Sequence, residues 1–427
     1  MSKHFLNLSY PHHKTWDKNK DSLSLELKDI EFSISNGLRR IMKAEIPTVG
    51  FRIYPYEEST LTIIKNETPI DNEMLSQRIG LIPIHVDAKK FDVNDYLFII
   101  EKENSSSKDF LEVSSQDFQI KKLSENKMLS REQVKKIFPP NPLTNEYIII
   151  TLLKPWENMA HDKPKFHIEG KAVVSIQKEH ALFSQTSSIS CSHKVDPELA
   201  EQEFQKYLEE KQKTDLADDI TLAQFDPEYK APVRDYSPEK HRSNFDTLLR
   251  KRCYYRNANE DPYWFEMSIE SVGILPPILI LDQAIEILGN KIIKFQMNLD
   301  NDHLENIIIK KGTHKMDNAY RIIIKDEDHT LGNLLQTHFY KYFIEEKDVL
   351  DHISYENPHP LYKRIDLIML PKKNYASFQE FYQNVIKDGC KRLLETLSDL
   401  RKELQSLPEF KEAGGKVKPS SSSSKSS

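Results

Sequence analysis

An α+β fold of two similarly organised halves in a pseudo-dimer arrangement is predicted by three features of the sequence. DIEFSISNGLRRIMKAEIPT near residue 30 and DEDHTLGNLLQTHFY near residue 330 each read as an amphipathic helix that opens a half. Each half ends in a long helix with an apolar heptad seam. Strand-like runs accompany both pairs of helices, and a β-rich stretch is inserted into the first half. The expected division places the first half in residues 1–50 and 251–302 and the inserted β-rich subdomain in 51–250, with a charged excursion at about 197–239. The second half takes 303–410, and 411–427 forms a lysine and serine tail.

From Asp29 to Glu45 the spacing predicts a helix: Ile30, Ile34, Leu38 and Ile41 recur at intervals of four, four and three, Asp29 is available as a cap, and Pro47 stops the helix. Gly37 costs about 1 kcal/mol relative to alanine there, which suggests a close helix contact. FRIYPYEESTLTIIKN is strand-like, MLSQRIG a short helix, and YLFIIEKE a strand. From Asn104 to Pro142 the pattern weakens, and the stretch reads as an insertion or a loosely ordered lobe. Strands return in EYIIITLLKPW and FHIEGKAVVSIQ. From Pro197 to Glu239 the chain is charged, helical and then loop-like, as a surface excursion would be.

YWFEMSIESVG alternates with period two and reads as a strand; the next helix has proline in its first turn. Its seam is Leu281, Ile285, Leu288, Ile292, Phe295 and Leu299, spaced 4, 3, 4, 3 and 4. Two strand-like runs lead to the helix carrying Leu331, Leu334, Leu335 and Phe339. HISYENPHPLYKRIDLIML gives two strands around a proline turn. The last helix, from about Ala376 to Leu407, has the seam Ile386, Cys390, Leu393, Leu397, Leu400, Leu404 and Leu407. A seam of this length cannot be buried by its own helix, and isolated helices are marginal in water. Each seam packs either on its own sheet or on the other; their repetition in corresponding places favours mutual packing. The joint from Leu299 to Tyr320 spans roughly 60 Å when extended, enough for the second half to fold back, and the tether raises effective concentration to about the millimolar range.

A net charge of −6 and dispersed acids and bases argue against a general nucleic-acid coat. Three scattered cysteines make no disulfide framework and fit a reducing compartment. MSKHFLNLSYPHHK lacks the apolar core of a secretory signal, and no run of eighteen apolar residues is present, so an intracellular protein without a membrane partner is expected. The 414–427 tail, lysine and serine without acid, is expected to be disordered.

SISNGLRRIMKAEIPTVG, EESTL, LSQRIGLIPI, GKAVVSIQKEHALFS and YWFEMSIESVGILPP together resemble the large α-like subunit of multisubunit DNA-dependent RNA polymerases, counterpart of the bacterial α amino-terminal domain. KDEDHTLGNLL and YENPHPL resemble the small α-like subunit. The resemblance covers about two thirds of the chain. It implies two α-like dimerisation halves fused in one polypeptide, similar to the arrangement in large DNA viruses of eukaryotes. It also implies a scaffold, not an enzyme, on which the largest and second-largest subunits assemble, joined by small zinc-binding subunits. No base-specific nucleic-acid contact is implied, and the chain is not expected to be a homo-oligomer. If viral, it belongs in the host cytoplasm, in the viral factory, and in the virion; otherwise in the nucleus. Arg39 and Arg40 match the family's arginine pair that docks the second-largest subunit, a task suited to planar, bidentate guanidinium groups. Taken without the surrounding motif they are two solvated arginines on an amphipathic helix. The implied pseudo-dimer interface comprises Ile34, Leu38 and Ile41, then Leu281, Leu288, Ile292 and Phe295, then Leu331, Leu334 and Leu335, and finally Leu393, Leu397, Leu400 and Leu404. Some family members carry zinc-binding cysteines after GLIPI; HVDAKKFDVND has none, so neither metal nor cofactor is expected. This loop and SIESVGILPP look closest to the form shared by eukaryotic polymerases I and III.

Cys191 and His193, with His180 nearby, are the one grouping that suggests a metal, but tetrahedral zinc sites need four ligands, usually in CxxC-like or HxxxH pairs. In DEDHT, Asp328 or Thr330 is better placed to cap a helix than His329 is to do acid-base work. No phosphate-binding loop, nucleophile elbow or paired-carboxylate motif is present. A free-standing transcription regulator imitating the polymerase dimer would be expected to lose one docking face, whereas both opening helices look intact. An unrelated enzyme would need clustered polar residues.

Overall fold

The computed structural model describes residues 3–11, 20–157, 162–226, 228–300, 306–313 and 316–414. Strands β1 (Phe5–Ser9) and β2 (Ser22–Lys28) pair antiparallel and lead into helix α1 (Phe32–Ala44). Glu31, not Asp29, sits at the N-cap; Asp29 has φ 55° and turns the chain between β2 and α1. The insertion follows with β3 (Thr48–Gly50), β4 (Leu61–Asn66), α2 (Asn72–Gly80) and β5 (Tyr96–Glu103). Next come β6 (Leu111–Ser114), β7 (Gln119–Lys122), β8 (Lys127–Met128) and α3 (Arg131–Ile137). The insertion's last strands are β9 (Ile149–Leu153), β10 (Lys165–Gly170) and β11 (Val173–Ser175). A five-stranded sheet of order β4-β10-β5-β7-β8 forms its body.

The stretch read as weakly patterned, from Asn104 onwards, is folded into this body. Ser130 caps α3 by accepting from the Gln133 amide while Gln133 reaches back to the Ser130 amide. Val113, Phe118, Ile120 and Phe138 are buried there, with the Phe118 and Phe138 rings stacked at 4.3 Å between centroids.

Strand β12 (Thr186–His193) is followed by α4 (Pro197–Phe225), α5 (Pro238–Leu248), β13 (Trp264–Ser271) and α6 (Pro277–Asp300). Although the sequence division places residues 186–193 in the insertion, β12 pairs with β13 and completes the first half's sheet, of order β1-β2-β13-β12. α4 and α5 close a small core of their own around Phe204 and Phe245.

The second half comprises β14 (Ile307–Thr313), β15 (Met316–Lys325), α7 (His329–Phe339), β16 (Leu350–Glu356), β17 (Arg364–Pro371), α8 (Phe378–Phe381), α9 (Lys387–Ser406) and α10 (Pro408–Glu412). Its sheet has the order β14-β15-β17-β16. A π-helical turn at Tyr340–Glu346 extends α7, and a second, at Tyr382–Ile386, joins α8 to α9. α10 carries ordered chain into the segment assigned to the tail; residues 415–427 lie outside the described residues. Among the described residues no helix is long and apolar enough to cross a membrane.

One hydrophobic core runs through α1, α6, α7 and α9 and both flanking sheets. The α+β fold of two α-like halves in a pseudo-dimer arrangement is therefore built around a single shared interior. The insertion keeps a separate core.

Candidate docking surface and intramolecular interface

Ile34, Leu38 and Ile41 line the inner face of α1, and Leu281, Leu288, Ile292 and Phe295 that of α6. Leu331, Leu334 and Leu335 of α7 and Leu393, Leu397, Leu400 and Leu404 of α9 supply the opposing surface. All of these side chains are buried in the shared core. α1 packs on both α6 and α7, and α9 on α6, so helices of each half are partners of helices of the other. Full burial of such a side chain stabilises by about 1.5–3 kcal/mol. The last seam residue, Leu407, sits at the C-cap of α9 and is only half-buried.

Polar contacts flank this seam. The α9 residue Arg401 grips Asp282 of α6 with two bonds, Nε to Oδ1 at 2.8 Å and Nη2 to Oδ2 at 2.9 Å, and its Nη2 also reaches Glu286 at 2.9 Å. A planar guanidinium meets a carboxylate best in this geometry. Lys291 Nζ bridges Glu45 at the end of α1 and Glu327 before α7, both at 3.0 Å. Burial raises the Glu327 carboxyl above its usual range, Lys291 opposes that rise, and Glu45 and Asp328 reinforce it. Asp328 caps α7 by accepting from the Thr330 amide at 2.9 Å and pairs with Lys178 at 2.7 Å. Burial works against its charge, but the bonds from Lys178 and Thr330 outweigh it and hold the carboxyl well below the usual carboxylate range. Of the two cap candidates in DEDHT, Asp328 takes the role.

Arg39 and Arg40 are both half-buried on α1 but face different neighbours. Arg39 Nε donates to Asn36 Oδ1 at 3.0 Å, within its own helix. Arg40 turns to the other half: its Nε donates to Thr330 Oγ1 at 2.8 Å and its Nη2 lies 3.6 Å from Asp328 Oδ2. Arg40 is therefore engaged within the chain, at the junction of α1 with the N-terminus of α7. Gly37, expected to mark a close approach, is less constrained than that: a Cβ there would sit 3.7 Å from Leu288, an ordinary contact. Tighter approaches in the second half are at Gly332, where a Cβ would meet the Tyr355 ring at 2.5 Å, and at Gly389, 2.6 Å from Phe343.

Sequence reasoning missed the network of Glu45, Lys178, Lys291 and Glu327 and the Arg401 clasp on Asp282. Glu45, Lys178 and Glu327 fall in SISNGLRRIMKAEIPTVG, GKAVVSIQKEHALFS and KDEDHTLGNLL, but nothing in those stretches pairs them with one another. Cys191, His193 and His180 do not converge on a metal: no group of three candidate ligands occurs among the described residues. His193 is instead stacked on Tyr254 at 4.4 Å, and burial lowers its pKa.

Residues 24–292 match the RNA polymerase Rpb3/Rpb11 dimerisation domain, and residues 319–403 match a second domain of that description. The chain is 24% identical over 307 residues to the DNA-directed RNA polymerases I and III subunit RPAC1 of Homo sapiens, covering 66% of this chain and 82% of that protein. It is also 24% identical over 302 residues to the DNA-directed RNA polymerase II subunit RPB3 of Schizosaccharomyces pombe, covering 66% and 85%. Over a shorter span of 73 residues, 17% of this chain and 19% of the relative, identity to the Dictyostelium discoideum RNA polymerases I and III subunit rpac1 reaches 40%. These similarities support a structural rather than a catalytic role. With two such domains in one polypeptide, the chain belongs to the RNA polymerase Rpb3/Rpb11 dimerisation-domain family.

Proposed function

We propose that the chain is a non-catalytic scaffold subunit of a multisubunit DNA-dependent RNA polymerase. Its halves form an intramolecular α-like pseudo-heterodimer that nucleates assembly of the largest and second-largest subunits, with small zinc-binding subunits joining the platform. The observation that carries this reading is the continuous core shared by α1, α6, α7 and α9, which makes the pair of dimerisation domains one folded unit. In this reading α1 presents Arg39 to the second-largest subunit, while Arg40 positions α1 against α7 and contributes its remaining exposed edge. The complex works inside the cell, in a cytoplasmic viral factory and the virion if the source is a virus, and otherwise in the nucleus. Affinity purification of the tagged chain from its native source tests the assignment: both large subunits should co-purify in equal amounts with it. Recovery of neither would remove the polymerase reading.

A further inference from the structure

Helix α4 runs for 29 residues, about 43 Å at 1.5 Å per residue. Only its first part is buried: Ala200, Phe204 and Leu208 pack with Phe245 and Cys253. Beyond residue 208 the helix leaves that core. One side of the distal half is occupied by the returning chain. Tyr236 Oη donates to Asp215 at 2.9 Å, Tyr229 Oη donates to Asp219 at 2.6 Å, and the Arg234 guanidinium pairs with Asp219. About 100° round the helix from those two aspartates lie Leu216 and Ile220, one turn apart. They are 62% and 53% exposed. An apolar stripe held in water on an ordered helix is characteristic of a surface that is covered by a partner.

The charge of the arm says what kind of partner. Of the eight carboxylates and three lysines of α4, residues 209–225 hold five carboxylates and two lysines, an excess of three negative charges in a chain whose net charge is −6. Two copies of so acidic a helix repel one another, whereas a cationic segment is drawn to it. We infer that residues 209–225 form a docking arm for a protein partner presenting an amphipathic segment, in which apolar residues that cover Leu216 and Ile220 are flanked by lysine or arginine. This goes beyond the assembly role and rests on it only in that the partner is sought in the purified polymerase.

The test is lysine-directed cross-linking and mass spectrometry of the polymerase purified from its native source through a tag on this chain. Lys211 and Lys213 should cross-link to another polypeptide, at a segment whose sequence alternates apolar and basic residues. In the L216D/I220D variant, whose substitutions fall on exposed positions and should leave the melting temperature unchanged, those cross-links should drop at least tenfold while both large subunits are retained. Cross-links confined to this chain, to a second copy of it or to an acidic segment would overturn the proposal, as would full retention in the variant. Loss of the large subunits from the wild type would sink the polymerase assignment instead, and the arm would be judged on the same cross-links.

Discussion

At the scale of single residues, the two arginines of α1 have different surroundings, which makes the proposed docking role separable from a structural one. Arg39 donates to Asn36 within α1, so Arg39→Ala should leave the fold intact and lower recovery of the second-largest subunit by about tenfold or more, the consequence of stranding a buried interfacial partner. Arg40→Ala also loses the bond to Thr330 and should cost about 1 kcal/mol of stability. Thermal melts and pull-downs of the two single variants check this, and equal recovery by wild type and Arg39→Ala would remove Arg39 from the docking site. Asp328 gives a pH prediction. Its folded carboxyl lies below the ordinary value of 3.8, so its ion pairs stabilise the fold above that value and are lost as the pH falls below it. Asp328→Asn should therefore be less stable than wild type at pH 6, and the gap should narrow as melting is followed from pH 4 downwards. A gap independent of pH would show that Asp328 contributes only its neutral cap bond. The motif singled out Arg39 and Arg40 as a pair; the partner of Arg40 within the chain was not legible, because Thr330 lies 290 residues away.

At the scale of elements, the glycines separate close approach from mere burial. Gly37→Ala places a methyl group in ordinary contact with Leu288 and improves helix propensity by about 1 kcal/mol, so the melting temperature should hold or rise. Gly332→Ala drives a methyl group into the Tyr355 ring and should cost about 1–3 kcal/mol. Calorimetry of the pair decides the matter; a stable Gly332→Ala protein would mean that Tyr355 yields freely. The seams of α6 and α9 were legible because a stripe repeated over five or six turns exceeds any chance pattern. β12 was not, since TSSISCSH is an edge strand whose residues are mostly solvent-facing and polar. β7 and β8, of four and two residues, are too short to show a period.

At the scale of the whole molecule, the shared core predicts that neither half is complete alone. Residues 1–302 and 303–427, expressed as separate polypeptides in the same cell, should co-purify as a pair, whereas either one by itself should aggregate or be degraded with its seam exposed. Two well-behaved monomers by size-exclusion chromatography would count against a shared interior. The two-half plan was legible because opening and closing helices recur in the same order. The ion pairs along the seam were not: Glu45, Lys178 and Lys291 lie far apart in sequence and meet only in the folded first half, and Glu327 joins them only when the second half closes on it. Joining both halves in one polypeptide also settles a matter of supply. Wherever the two partners are made from separate messages, an excess of either leaves an orphan with a bare apolar face, and the cell must match their output or destroy the surplus. Here each round of translation delivers one of each, and a drop in expression lowers the number of paired halves without altering their ratio.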